Sequence, residues 1–242
     1  MATPRVHVEA PIAGPGALAL PAGAARHVQV LRLQAGDALT LFDGRGGEWP
    51  ARVQSMGRRE VVTEVLAHVP IERELPIAVT LAVAMPAGDR MDLVVEKATE
   101  LGAAAIQPLV SERSVLRLAG ERADKRVAHW QAIALAACEQ CGRNRVPIVH
   151  SVCAFEAWLA GLADAGSETR LLLGWQGAQP WRPALAEAVA GVVVLSGPEG
   201  GFAENEEYAA RTRGFHTVSL GPRVLRADTA PLAVLASIAL SP

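Results

Sequence analysis

The sequence is poor in several residue types that would mark particular classes of protein. Aromatic residues make up only 4% of the chain, which argues against a broad platform for base stacking. Three cysteines are too few to hold a chain of 242 residues together by disulfides. No apolar run approaches the ~20 residues needed to cross a bilayer, so we expect no membrane partner.

An excess of charge of either sign is also missing. The 23 basic residues face 25 acidic ones, which gives a net charge of −2, and half of all residues are hydrophobic. Such a chain can bury enough apolar surface to fold, and its length suits one large domain or two modest ones. The near-zero net charge argues against a generic binder of polyanions.

The charge is, however, unevenly distributed along the chain. Residues 113–145 carry seven basic against three acidic side chains (+4), whereas residues 151–242 carry six against nine (−3). Of the 23 basic residues, 21 are arginine, whose planar guanidinium favours bidentate contacts with phosphate. This distribution remains compatible with a protein that recognises one structured RNA by its shape and phosphates.

Cys138 and Cys141 have the C-x-x-C spacing of a redox pair or of half a zinc site. No second pair of ligands completes a metal site, and the two cysteines lie inside a helical pattern rather than at its N-terminus. We therefore expect small buried helix residues and no metal. The first twelve residues lack the features of a secretory signal, and we expect a cytoplasmic protein.

Residues 1–70 have the pattern of a small β module, which we interpret as a β-barrel domain. Short β-rich runs at 38–42, 48–54 and 60–68 are separated by turn residues, and a short helix is predicted over 24–32. Asp43-Gly44 between the first two runs predicts a hairpin. The charged, proline-bounded segment 70–76 is interpreted as a linker.

From residue 77 to residue 242, strand patterns alternate with helical ones. Strands are predicted at 78–84, 103–110, 171–173, 192–196 and 215–220, and helices over 89–101, 121–142 and 228–240. Such alternation is typical of an α/β domain with a mostly parallel sheet and helices on both faces.

Two glycine-containing loops follow predicted strands, which is where open parallel sheets bind ligands. The first loop, 196–202, precedes an acidic helical turn, and the second, 221–227, contains Arg223 and Arg226. Neither loop has the spacing of a P-loop or of a dinucleotide site. The acidic turn disfavours a phosphate there and favours a cationic or neutral ligand. Asp228 is predicted to be the N-cap of the last helix.

The two loops resemble those of the RsmE family, the 16S ribosomal RNA uracil-N3 methyltransferases of the SPOUT class. The similar segments are Gly197-Pro-Glu-Gly-Gly-Phe202 and Leu220-Gly-Pro-Arg-Val-Leu-Arg-Ala-Asp-Thr-Ala230. The similarity extends to Glu96-Lys-Ala-Thr-Glu-Leu-Gly102, Ala137-Cys-Glu-Gln-Cys-Gly-Arg143 and His27-Val-Gln-Val-Leu-Arg32, and so spans essentially the whole chain. One departure is Ala203, which stands where a serine often opens the helix and weakens that cap.

The resemblance implies an N-terminal PUA-like β-barrel that binds RNA and a C-terminal SPOUT α/β domain with a trefoil knot. It also implies a homodimer that acts on 16S rRNA in the small ribosomal subunit. Three loops would hold the cofactor, S-adenosyl-L-methionine. The implied cofactor-binding residues are Leu173, Gly174, Ser196, Gly197, Pro198, Glu199, Gly200, Gly201, Leu220, Gly221, Val224 and Leu225.

Transfer of a methyl group to uracil N3 requires loss of the N3 proton and stabilisation of the developing anion. Arg226 and Arg223 are candidates for holding O2, O4 or a phosphate. Asp228 and Glu199 are candidate proton acceptors, although Asp228 is more simply a helix cap and Glu199 more simply an acceptor that shapes its loop. The candidate RNA-binding residues are Arg5, Arg32, Arg113, Arg126 and Arg143.

Two other functions stay open at this point. One is a non-catalytic RNA-binding or ribosome-assembly factor with the same fold. The other is a SPOUT methyltransferase that acts on another RNA.

Overall fold

The structure is a computed structural model that describes residues 3–58, 60–166, 168–175, 177–182 and 191–240. The chain divides into two compact units. The first extends to Glu74 and includes Leu135–Val146, and the second contains Leu75–Ala134 and the residues from Pro147 onward. The sequence pattern does not indicate that Leu135–Val146 groups with the N-terminal residues.

A five-stranded mixed sheet forms the first unit. Its elements are β1 (Arg5–His7), β2 (Gly16–Ala19), α1 (Ala22–Val30), β3 (Ala38–Phe42), β4 (Trp49–Met56) and β5 (Val61–Val65). The strand order is β1-β3-β4-β5-β2, in which only β1 and β3 run parallel. Leu41 lies opposite Trp49 across the Asp43-Gly44 turn, which confirms the predicted hairpin. Among the described residues β1 and β2 do not pair, and the sheet has these two strands at its edges.

The second unit has an eight-stranded sheet in which every pairing is parallel. Its strands are β6 (Ala78–Ala84), β7 (Ala105–Val110), β8 (Ile148–Val149), β9 (Cys153–Ala154), β10 (Glu168–Leu173), β11 (Gln179–Pro180), β12 (Gly191–Ser196) and β13 (His216–Ser219). The helices described from residue 77 onward are α2 (Arg90–Glu100), α3 (Gly120–Cys141), α4 (Phe155–Gly161), α5 (Glu204–Thr212) and α6 (Thr229–Ala239). The C-terminal part of α3 belongs to the segment that groups with the first unit. The predicted parallel α/β arrangement is therefore confirmed.

Strand β12 lies near the centre of this sheet, and all six of its residues are buried. A continuous Val-Val-Val-Leu run is typical of a strand covered on both faces. The strand order is β11-β13-β10-β12-β6-β7-β8, with β9 beside β7. Strands β13, β10 and β12 are consecutive neighbours, so the loops that follow them leave the same edge of the sheet.

The cysteines do not form a reactive pair. All three are free thiols; Cys138 is buried in α3 and Cys141 is partly buried. Burial raises the pKa of the Cys138 thiol to about 12, so it stays protonated at neutral pH. In the part of the chain that the structure describes, no helix has the length and apolarity to cross a membrane.

Candidate functional site

Three loops enclose a cavity of about 570 Å³ at the carboxyl edge of the parallel sheet, a volume in the range of small-molecule sites. The loops follow β10, β12 and β13. The predicted cofactor residues that line the cavity are Leu173, Gly174, Ser196, Gly197, Pro198, Glu199, Gly201, Leu220, Val224 and Leu225. The loops after β12 and β13 and a third loop after β10 therefore meet at one cavity.

Backbone conformation shapes the inner wall of this cavity. Gly201 has a φ of +67°, which L side chains rarely adopt. A Cβ atom on Gly174 would lie 2.7 Å from Cγ2 of Thr217, which is shorter than a real contact allows. Glycine at these two positions therefore leaves the turns free of a side chain, which suits a site that grips its ligand through backbone groups.

Gly200, Gly221 and Asp228 are not among the residues that line the cavity. Gly200 lies in the Gly-rich turn, with its carbonyl facing outward to Arg113. Gly221 has a φ of +119°, and its N–H donates to the Ser219 hydroxyl at 3.3 Å. These two glycines shape the loops without facing the cavity.

Asp228 occupies the predicted N-cap position of the last helix, but its side chain does not cap that helix. Asp228 already has helical dihedral angles (φ −79°, ψ −32°) and makes no capping hydrogen bond. An N-cap needs an extended backbone so that its side chain can reach the amides of the first turn. The carboxylate instead accepts a hydrogen bond from the Thr229 hydroxyl at 3.2 Å and lies 4.0 Å from Nε of Arg90.

The rim of the cavity carries two free cations and exposed apolar groups. Arg223 and Arg226 both line the cavity and are exposed, and neither side chain makes a hydrogen bond or ion pair with another residue in the described ranges. Trp175 is 56% exposed and Val224 is 78% exposed at the same cavity. This combination suits a ligand that presents both a flat apolar surface and negative charge.

Arg90 is a lining residue that the sequence pattern did not single out. Its NH1 group donates to Oε1 of Glu199 at 3.2 Å, and the same oxygen accepts the N–H of Ala87 at 3.0 Å. Arg90 starts α2, far along the chain from both glycine-containing loops. Only the folded sheet brings it to the cavity.

Two contacts from the segment after β7 support the Gly-rich loop. Arg113 donates from NH1 to the carbonyl of Gly200 at 3.0 Å. Glu206 is buried and accepts the backbone N–H groups of Glu112 at 2.8 Å and Ala203 at 2.9 Å. The Glu206 carboxylate thus supplies one half of a capping box by accepting the Ala203 N–H, whereas Ala203 has no side-chain oxygen to cap the amides of the first turn.

Two of the arginines predicted to contact RNA are engaged within the first unit. The side chains of Arg5 and Arg143 are 11% and 4% exposed. Arg5 pairs with Glu48 at 2.7 Å, and Arg143 pairs with Glu74. Because a buried ion pair loses much free energy when one partner is removed, these two guanidiniums stabilise the fold instead of facing a ligand.

The other three candidates are more accessible. Arg32 is exposed and has a φ of +57°, directly after the end of α1. Arg113 is exposed beside the Gly-rich loop, and Arg126 pairs with Asp89 at 2.9 Å on the outer side of α3.

Comparison with known proteins assigns a class to this fold and site. Residues 73–239 match the family described as RNA methyltransferase domain, and residues 20–66 match the RNA methyltransferase PUA domain. The chain is therefore an RNA methyltransferase with a PUA domain.

Individual relatives narrow this class. The ribosomal RNA small subunit methyltransferase E of Synechocystis is 38% identical over 87% of this chain and 68% of its own length. That of Bacillus subtilis is 34% identical over 87% of this chain and 84% of its own length. The chain belongs to the ribosomal RNA small subunit methyltransferase E family, RsmE, which confirms the resemblance drawn from the loops.

Two solved structures with the same fold carry the cofactor. A ribosomal RNA small subunit methyltransferase E from Neisseria gonorrhoeae, bound to S-adenosyl methionine, superposes with a TM-score of 0.91 at 38% identity, covering 98% of this chain and 97% of that one. A methyltransferase from Legionella pneumophila, in complex with the same cofactor, gives a TM-score of 0.91 at 32% identity with the same coverage.

Proposed function

We propose that this chain transfers a methyl group from S-adenosyl-L-methionine to N3 of a uridine in the 16S rRNA of the small ribosomal subunit. The observation that carries this proposal is the cavity between three loops at the carboxyl edge of the sheet, with the unpaired side chains of Arg223 and Arg226 at its rim. The first feature suits the cofactor, and the second suits a uridine that becomes negatively charged.

The lining of the cavity fits the proposed cofactor. Glu199 and Glu207 contribute negative charge to the wall, which favours a ligand with a positive sulfonium and ammonium group. The loops after β10, β12 and β13 would hold it through their main-chain groups, with Gly200 and Gly221 shaping the turns. When bound, S-adenosylmethionine supplies a methyl group that its sulfonium activates for in-line displacement.

The side chains at the rim would act on the uridine. Because N3 must lose a proton, a negative charge develops on the uracil ring, and a nearby guanidinium stabilises it. Arg226 and Arg223 are exposed, unpaired and at the cavity, so we assign them to the uracil oxygens or to the adjacent phosphate. Asp228 lies behind this wall and faces Arg90, so we propose that it holds the rim and does not take the proton.

We propose that the RNA is held through phosphate contacts from accessible arginines on each domain. Arg113 and Arg126 are candidates in the methyltransferase domain, and Arg32 is the candidate in the PUA-like domain. Arg5 and Arg143 are left out because their guanidiniums are buried in ion pairs.

We also propose the finer architecture that the family resemblance implies. Residues 1–70 would form an RNA-binding PUA-like barrel, and residues 77–242 a methyltransferase domain whose last segment is threaded as a trefoil knot. Two features support the knot. The cavity is built from loops after three neighbouring strands, and helix α6 directly follows the last of these loops. A cytoplasmic location follows from the proposed substrate.

The enzyme is further proposed to be a homodimer. Helix α6 contains no charged residue, yet most of its side chains remain partly exposed. Leu93 on α2, which contacts α6, is 46% exposed. A second copy of the chain would cover this apolar surface.

Mass spectrometry of rRNA nucleosides tests the proposed reaction. Cells that lack this protein should lack N3-methyluridine in 16S rRNA, and purified protein with S-adenosylmethionine should restore it on their small subunits. A methyl group found only on a ribose 2′-oxygen, or only on another RNA, would contradict the proposal. Absence of cofactor binding in calorimetry at millimolar ligand would favour a non-catalytic assembly factor.

A further inference from the structure

We propose that Arg90 is a positioning residue that fixes the rim of the cofactor cavity by joining the Gly-rich loop to the start of the last helix. The inference rests on the proposed function, because it concerns how this chain holds S-adenosylmethionine. Arg90 would act through Glu199 and Asp228 and would not contact the reacting atoms.

The contacts place Arg90 between two carboxylates from different loops. Its NH1 group is 3.2 Å from Oε1 of Glu199, in the loop after β12. Its Nε atom is 4.0 Å from Oδ2 of Asp228, which follows the loop after β13. One guanidinium therefore bridges two of the three loops that form the cavity.

The Gly-rich loop needs such an anchor. Glu199 is the only charged residue between Ser196 and Phe202, and three of its neighbours in that segment are glycines. Glycine gives the chain more conformational freedom than any other residue, so the loop has little intrinsic preference for one shape. The N–H of Ala87 and the guanidinium of Arg90 both donate to the Glu199 carboxylate and fix this segment.

The surroundings of Arg90 indicate that it positions the loop and contributes little to the stability of the fold. Its side chain is 39% exposed, and exposed ion pairs contribute little to the stability of a fold. Helix α2 is held by other residues, since Met91, Val94 and Val95 are fully buried on its inner face. Loss of Arg90 should therefore loosen the loop and leave the helix folded.

The three arginines at the cavity then have two different roles. The charge of Arg90 is balanced by Glu199 and Asp228, whereas Arg223 and Arg226 have no described partner. Removing Arg90 should weaken cofactor binding, and removing a rim arginine should slow the reaction. The proposal therefore predicts that loss of Arg90 changes mainly the Kd for the cofactor, whereas loss of a rim arginine changes mainly kcat.

Calorimetry with S-adenosylmethionine on the purified full-length protein tests the inference. Arg90→Gln should raise the Kd for the cofactor on the order of tenfold, the effect of losing a charge-assisted hydrogen bond. Arg90→Lys should recover most of the affinity. In both Arg90 variants, kcat at saturating cofactor should change less than twofold. Lys97→Gln is the matched control, because Lys97 lies on the same helix and pairs with Glu96 at 2.6 Å and Glu100 at 2.8 Å; its Kd should stay at the wild-type value.

A double-mutant cycle shows whether Arg90 acts through Glu199. Glu199→Gln should weaken cofactor binding, and the double variant should bind no more weakly than the worse single variant, because both changes remove one contact. Fully additive losses, or a wild-type Kd in Arg90→Gln, would overturn the inference. A fall in kcat with an unchanged Kd would also overturn it, since it would place Arg90 against the substrate.

Hydrogen exchange on the ligand-free protein gives a readout that does not depend on the proposed reaction. Arg90→Gln should accelerate exchange of the amides in 197–202 and leave α2 as protected as in the wild type. Unchanged exchange in that loop would reject the role of Arg90 even if the protein binds S-adenosylmethionine. Faster exchange in a protein that binds no cofactor would support the anchor and reject the proposed function alone.

Discussion

The surroundings of each arginine decide its role in this protein. Arg143 is almost completely buried against Glu74, Arg90 is balanced by two carboxylates, and Arg226 has no partner among the described residues. Only the last kind has no acidic partner that competes with a ligand. Counting arginines in the sequence therefore overstates the number available to bind RNA.

Replacing Arg226 with alanine should reduce kcat about 100-fold, the effect of losing one group that stabilises charge in a transition state. The Kd for S-adenosylmethionine should change much less, because Arg226 lies at the rim of the cavity and is assigned to the uridine. Steady-state methylation of small subunits and calorimetry measure the two quantities. Lys97→Gln is the control, and wild-type activity in Arg226→Ala would show that this assignment is wrong.

Trp175 offers a direct optical probe of the cavity, because its indole lines the cavity and is more than half exposed. Adding S-adenosylmethionine should change the tryptophan emission of the wild-type protein, and Trp175→Phe should remove most of that change. Trp158→Phe is the control, since Trp158 packs against Phe155 and Phe215 away from the cavity. An equal response in Trp175→Phe would place the cofactor elsewhere.

At the scale of elements, the sequence predicted best where hydrophobic periodicity is strong. Strands β3 and β6 occupy the predicted residues, and α3 lies within one residue of its prediction. The short strands β8, β9 and β11, of two residues each, were missed because two residues carry no periodicity. The pairing of β1 beside β3 was also missed, since parallel partners are not marked by a turn.

In the candidate site, too, some features were predicted from the sequence and others were missed. The two glycine-containing loops follow strands and line the same cavity. Arg90 and Trp175 were missed as site residues because neither lies in those two loops. Asp228 has the predicted N-cap position but not the predicted capping contact, because the sequence shows a residue type that favours caps and does not show its dihedral angles.

Helices α2 and α3 are joined by a cluster around Asp92, and this cluster should make stability depend on pH. Burial opposes ionisation of Asp92, but hydrogen bonds from His129 at 3.0 Å and Trp130 at 2.9 Å, with the charge of Arg126, outweigh it and lower the pKa of the carboxyl. A carboxyl with a lowered pKa stabilises the fold above its unfolded value of 3.8 and loses that effect as the pH falls further.

Asp92→Asn should therefore destabilise the protein at pH 7, and this effect should shrink as the pH falls below the unfolded value of 3.8 toward the lowered pKa of folded Asp92. Urea unfolding at several pH values measures both free energies. Asp89→Asn is the matched control, because the Asp89 side chain is 85% exposed and should show a smaller difference at every pH. A penalty for Asp92→Asn that is the same at pH 7 and pH 3 would contradict this account.

At the scale of the whole molecule, charge along the sequence differs from charge on the surface. The basic stretch 113–145 carries +4 in the sequence, but three of its arginines pair with acidic residues outside it. Arg126 pairs with Asp89, Arg143 with Glu74, and Arg145 with Glu72. The surface that RNA would meet is thus less basic than the sequence alone indicates.

The proposed homodimer gives a further prediction at this scale. Wild-type protein should sediment at about twice the chain mass of 25.4 kDa, and Leu93→Glu should shift it to the monomer, because a charge at an apolar interface is costly. Val30→Glu is the control, since Val30 is 70% exposed on α1. A wild-type monomer at micromolar concentration, or a dimer that survives Leu93→Glu, would contradict the proposed interface.

The cavity is shaped by turns at glycines and carries exposed side chains at its rim, and the two can be altered separately. Exchanging the side chains at Trp175, Arg223, Val224 or Arg226 leaves the turns formed around Gly174 and Gly201 in place. An engineer could therefore vary the rim to redirect the enzyme toward a different base while it keeps its methyl donor. Substituting the glycines would do the reverse and remove the donor for every target at once.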